Sequence, residues 1–114
     1  MIFEYWFDPA DEAGYQEYLR ESARLRALLP GADGFLGIER FASEKEPRRY
    51  VAIAYFTGEA AVAAWRNNPD HRRAQALGRS RFFSGYRLRI AEVVRDYGPD
   101  DRDGVPADSR RAHG

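Results

Sequence analysis

The residues of this chain best suited to chemistry stand close together, in Trp65-Arg-Asn-Asn-Pro-Asp-His71-Arg-Arg-Ala-Gln75. His71 is one of two histidines. An imidazole is the side chain whose ordinary pKa suits it to take or give a proton near neutrality. Gln75 follows four residues later, so the two share one helix face. Gly78 and Phe82 continue that face, and the missing side chain at Gly78 leaves a gap for a flat ligand. Trp65 closes the preceding segment and can wall the same space. Gln75, or Asn67 nearby, carries an amide able to donate a hydrogen bond to a developing oxyanion. Together they describe a cavity with an aromatic wall, one titratable ring and one amide.

Each of these residues also has a plainer reading. Trp65, at the end of an Ala-rich helix, reads as core. Asn67 and Asn68 are accounted for by helix capping. His71 sits in the first turn after a proline, where exposed polar residues are common, and Gln75 fits a solvated position beside Arg72 and Arg79. Tyr55, Tyr86 and Tyr97 offer phenol groups, with Tyr55 and Tyr86 placed to meet a ligand, yet strand tyrosines usually pack with a satisfied hydroxyl. Arg87, Arg89 and Arg95 form a basic stripe for which Glu39 and Glu92 are candidate ion partners.

Composition excludes several classes. Basic and acidic residues balance at 18 each, so no global field favours nucleic acid or an acidic membrane. Without cysteine there is no disulfide and no thiolate chemistry. Histidine and carboxylate residues show no ligand spacing, so no side-chain metal site is expected. No Gly-rich phosphate loop is present. No stretch reaches the ~18 apolar residues of a membrane span. MIFEYWFDP lacks the basic and apolar regions of a signal peptide, and a cytoplasmic location is expected.

The elements that must position these residues are legible from periodicity. Residues 2–7 (IFEYWF) read as a strand ended by Asp8-Pro9, with Asp8 or Asp11 capping a helix over about 11–29. GFLGIERF alternates with period two and predicts a second strand, with Leu36, Ile38 and Arg40 in phase. Residues 43–48 read as a hairpin connection, and RYVAIAYF as a strand buried on both faces. A short helix over 59–66 is broken by Asn67-Asn68-Pro69. Asn68 is a good cap and Pro69 a good first residue for a second helix over about 69–82. YRLRIAEVVRDY predicts a long last strand ending at Tyr97. The order β-α-β-β-α-β is the ferredoxin-like α+β pattern, with helices on one face of an antiparallel sheet. Both sheet faces carry apolar groups, so a second copy is expected on the other face. Residues 1–98 thus make one domain, and residues 99–114 read as a polar, disordered tail.

GFLGIERF, AAVAAW, NPDHRRAQ, Gly78-Arg79 and YRLRIAEVVRDY, in that order, resemble the antibiotic biosynthesis monooxygenase family over residues 1–98. The resemblance implies a homodimeric α+β barrel with a cavity between sheet and helices in each protomer. It implies oxygenation of a small aromatic or polycyclic, anthrone- or quinol-like substrate by O2 without a cofactor. His71 would serve as base and Gln75 as hydrogen-bond donor to the developing oxyanion, while Trp65, Asn67, Gly78, Phe82, Tyr55 and Tyr86 would meet the substrate. The family's haem-degrading branch uses a Trp, a His ten residues later and an Asn on the first strand. Trp65 matches, but Gln75 stands in place of the histidine and IFEYWF has no Asn. An amide is a poor iron ligand beside an imidazole. Haem binding or degradation, resting on His71 one turn earlier, is the alternative, together with a non-catalytic small-molecule-binding dimer.

Overall fold

The computed structural model describes residues 1–114. Four strands form one antiparallel sheet in the order β2-β3-β1-β4: β1 Ile2–Trp6, β2 Phe35–Ala42, β3 Arg49–Phe56 and β4 Gly85–Arg89. Helix α1 (Glu12–Leu28) joins β1 to β2. Helices α2 (Glu59–Arg66) and α3 (Pro69–Leu77) join β3 to β4. This is the ferredoxin-like α+β arrangement that the periodicity predicts.

Local chemistry sets the helix boundaries. The Asp11 carboxylate caps α1 by accepting from Gly14 N at 3.0 Å. Asn68 Oδ1 accepts from the backbone N–H groups of Asp70 and His71, and Pro69 opens α3. The second long helix ends earlier than its sequence suggests. At Leu77 it widens into a π-type turn over Gly78–Phe82, closed by Phe83 N–H donating to Gly78 O at 2.9 Å.

Strand register fixes two distinct faces. Phe3, Tyr5, Ala52, Tyr50, Leu88 and Tyr86 stand opposite one another on the inner face, beneath the helices. Phe7, Tyr15, Tyr18, Phe82 and Phe83 join Phe3, Tyr5 and Tyr50 there in a continuous aromatic core. The outer face carries Ile2, Val51, Ile53, Tyr55 and Phe41 around Glu4, which pairs with Arg49 at 3.3 Å and Arg89 at 2.5 Å. The Arg89 hydrogen bond holds the Glu4 carboxyl below its ordinary range. Within one protomer, β3 is therefore buried on its inner face only: Ala52 and Ala54 are buried, whereas Tyr55 is exposed. Glu4, on the central strand, is the partner of Arg89, in place of Glu39 or Glu92.

The last strand is shorter than its sequence suggests. Arg89 pairs with Ile2, the first residue of β1, and residues beyond Ile90 have no strand beside them. Ile90, Val93, Val94 and Tyr97 are consequently exposed. Residues 99–114 carry a helix that shows no periodicity in the sequence, α4 (Ala107–His113), and bury Val105. This arm gives the chain a radius of gyration of 17.1 Å. A compact chain of this length has about 13 Å.

Candidate functional site

A cavity of about 760 Å³ opens between the inner face of the sheet and the helices. That is ample for an aromatic molecule of several rings. Its walls are mostly hydrophobic: Phe3, Ile38, Ala52 and Leu88 from the sheet, Leu25 from α1, and Trp65, Phe82 and Phe83 from the second half of the chain. His71 and Gln75 line it from α3.

The helix break builds the histidine site. In an unbroken helix the Trp65 carbonyl would accept from the backbone of residue 69. Residue 69 is proline, which has no N–H. The carbonyl is left for Asn68 N–H at 3.1 Å and for His71 Nδ1 at 3.1 Å. Arg66 O is free for a similar reason, because Asp70 N–H has turned to Asn68 Oδ1. It accepts from Gln75 Nε2 at 3.3 Å. The imidazole lies on the Trp65 indole, 4.7 Å between centroids with planes 22° apart. Trp65 itself is buried.

Nδ1 of His71 is also 3.2 Å from Gln75 Nε2, and one tautomer cannot serve both contacts as hydrogen bonds. A carbonyl oxygen only accepts, so the Trp65 contact is a hydrogen bond when the proton is on Nδ1, and the Gln75 contact is one when it is on the ring Nε2. With the proton on Nδ1, the ring donates to Trp65 O. Nε2 then carries the lone pair and has no partner within the protein. Burial lowers the pKa of His71 below its ordinary 6.5, so the ring is neutral at pH 7 and able to accept a proton.

The opposite wall is cationic and phenolic. Arg40, on the inner face of β2, lines the cavity. Its guanidinium carbon lies 5.7, 5.6 and 5.3 Å from the ring centres of Tyr5, Tyr18 and Tyr50. Its Nε and the Tyr5 hydroxyl are buried and complete no hydrogen bond of good geometry, although that hydroxyl lies within interaction reach of both Arg40 and the Tyr18 hydroxyl. Burial raises the pKa of Tyr5 and of Tyr50, so both remain neutral phenols at physiological pH. The Tyr50 hydroxyl is bonded to that of Tyr15 at 2.9 Å. Sequence reading passes over this group. One signal was available: Arg40 falls in phase with Ile38 on an otherwise apolar strand face.

Of the residues singled out from sequence, His71, Gln75, Trp65, Phe82 and Tyr86 stand on this cavity. Gly78, Asn67 and Tyr55 do not. A side chain at Gly78 would meet the Phe83 ring at 2.5 Å, so the space expected for a ligand there holds Phe83. Asn67 caps α2, donating to Ala63 O at 2.9 Å and accepting from Arg72 at 2.5 Å. Tyr55 lies on the outer sheet face.

The sequence profile described as ABM, antibiotic biosynthesis monooxygenase, matches residues 1–77. The chain belongs to this family. The uncharacterized protein YqjZ of Bacillus subtilis is 31% identical over 85 residues, 75% of this chain and 70% of that protein. The fold is shared with a dimeric ferredoxin-like protein of unknown function from Jannaschia sp. CCS1 (22% identity, TM-score 0.65, 81% of this chain and 97% of that one). It is shared as well with SnoaB, a cofactor-independent oxygenase from Streptomyces nogalater (17% identity, TM-score 0.58, 83% and 94%).

Proposed function

We propose that this protein is a cytoplasmic, homodimeric monooxygenase that oxidises a small aromatic or polycyclic, anthrone- or quinol-like substrate with O2 and no bound cofactor. The observation that carries the reading is the neutral His71, held against the Trp65 carbonyl on the wall of a largely apolar cavity. Family membership and the fold shared with a cofactor-independent oxygenase support it.

For an anthrone, Nε2 of His71 removes a proton from the activated ring CH2. The substrate becomes an enolate, and Gln75 turns its amide toward the oxyanion. The electron-rich anion passes one electron to O2, and the radical pair joins to form a C–O bond. The protonated His71 returns its proton as the peroxide loses water, leaving a C=O. The balance is CH2 + O2 → C=O + H2O, and both reducing equivalents come from the substrate. Apolar walls keep water from the intermediates. Trp65 and Phe82 bound the ring, with Tyr86 on the sheet side.

Oxygen uptake with an anthrone and dihydroquinone panel tests this, with 18O2 to follow the incorporated atom. One 18O in the product, with turnover collapsing in His71→Ala, is the expected result. No O2-dependent turnover, or unchanged turnover in His71→Ala, removes the proposal.

The dimer forms through the outer sheet face. Only 11 of 114 residues are buried in one protomer, and the outer face carries Tyr55 and Phe41 exposed. A second sheet laid across it would supply the missing burial.

A further inference from the structure

We propose that this cavity is built for an aromatic anion, a flat ring bearing a carboxylate, and that Arg40 is the residue that binds the carboxylate. The inference rests on the oxygenase reading only in taking the cavity as the substrate site.

Seven ion pairs are formed in the protein, and Arg40 is in none of them. It is half-buried in the cavity wall. Its Nε is buried and unpartnered, and the residue lines the cavity. The three surrounding phenol rings ease the burial of a cation through their faces. They supply no anion, because Tyr5 and Tyr50 are held neutral. A half-buried guanidinium without an anionic partner is costly, and a bidentate carboxylate fits its planar fork.

The mouth repeats the sign. Arg26, Arg66 and Arg79 line the cavity, are exposed, and join no ion pair. Of the two carboxylates on the lining, Glu21 is committed to Arg24 and Arg73 at 3.2 Å each. Glu39 stands opposite Ile53, on the outer phase of the sheet. The chain as a whole has no net charge, so this positive lining is local. A neutral aromatic would fill the same space but leave Arg40 desolvated and unpaired. An anion is therefore preferred over its neutral isostere. Its charge pins one end of the ring system at β2 while α3 presents His71.

Calorimetric titration of the full chain with 2-naphthoate and 2-naphthamide tests this, since the two share a ring and differ in charge. The acid should bind at least about tenfold more tightly, the weight of one charge-assisted pair away from water. Arg40→Gln should abolish the preference while leaving naphthamide binding in place, and Arg40→Lys should restore part of it. Equal affinities in the wild type, no binding of either probe, or a preference that survives Arg40→Gln would each overturn the proposal. Should Arg40→Gln fail to fold by circular dichroism, the wild-type comparison and Arg40→Lys still decide. The titration needs no oxygen, so a protein that prefers naphthoate but never consumes O2 keeps the anion site and loses the oxygenase reading.

Discussion

Replacing Tyr5 by phenylalanine should make the protein more stable. The hydroxyl of Tyr5 is buried, belongs to the most enclosed large side chain of the core, and completes no hydrogen bond of good geometry, meeting Tyr18 and Arg40 only marginally. A buried polar group left unpaired costs about 1–3 kcal/mol. Removing the oxygen leaves a void on the order of 10 Å³, and at about 24 cal/mol per Å³ that subtracts only ~0.3 kcal/mol. The packing of the ring is untouched by the change. The ring keeps its stacks on Phe3 at 5.0 Å and Tyr50 at 5.7 Å, and its face stays under Arg40. The expected gain is about 1–2 kcal/mol, or roughly 3–10 °C in melting temperature for a domain of this size. Urea unfolding at pH 7 should show a higher midpoint with an unchanged slope, because the surface exposed on unfolding is the same. Burial keeps the phenol neutral, so the gain should not vary with pH between about 6 and 8. A loss of stability beyond ~0.5 kcal/mol would mean that the hydroxyl is bonded in solution. The account of an unsatisfied wall around Arg40 would then be wrong.

Other outcomes follow from the same geometry. The acid limb of the turnover profile should lie below pH 6.5, because burial depresses the His71 pKa. Folding stability should be full above 6.5 and fall as the pH drops through the depressed value, a slope that His71→Gln should remove in urea titrations at several pH values. Asn68→Ala should cost about 0.5–2 kcal/mol in thermal melts, since its Oδ1 serves two backbone donors. Removing residues 99–114 should leave one cooperative transition, since the four strands and the aromatic core all lie before Tyr97.

The fold was legible where the signal is local. Alternation in GFLGIERF and helical spacing in α1 are properties of a few neighbouring residues, and the elements formed there. The end of β4 was not legible. RLRIAEVV has the composition of a strand throughout, but a strand needs a neighbour, and β1 has none to offer past its first residues. The π-type turn was hidden for a related reason. Leu77 to Phe82 keeps helical spacing, and only the packing of Phe83 on Gly78 shows why the turn widens.

The two halves of the site differ in the same way. The histidine half follows from one stretch of sequence: Pro69 lacks the N–H that would occupy the Trp65 carbonyl, and His71 stands two residues on to take it. A helix break that reads as punctuation thus also positions the base. The arginine half is assembled from β1, α1, β2 and β3, one residue from each, and no spacing announces it. Its trace is a single charged residue in phase with an apolar strand face. Such a residue is a defect if the face is only core, because a guanidinium among phenyl rings gains less than it loses on leaving water. It ceases to be a defect if the face borders a cavity that takes an anion. The strand pattern and the unpartnered donors therefore argue for the same thing from opposite ends of the chain's organisation.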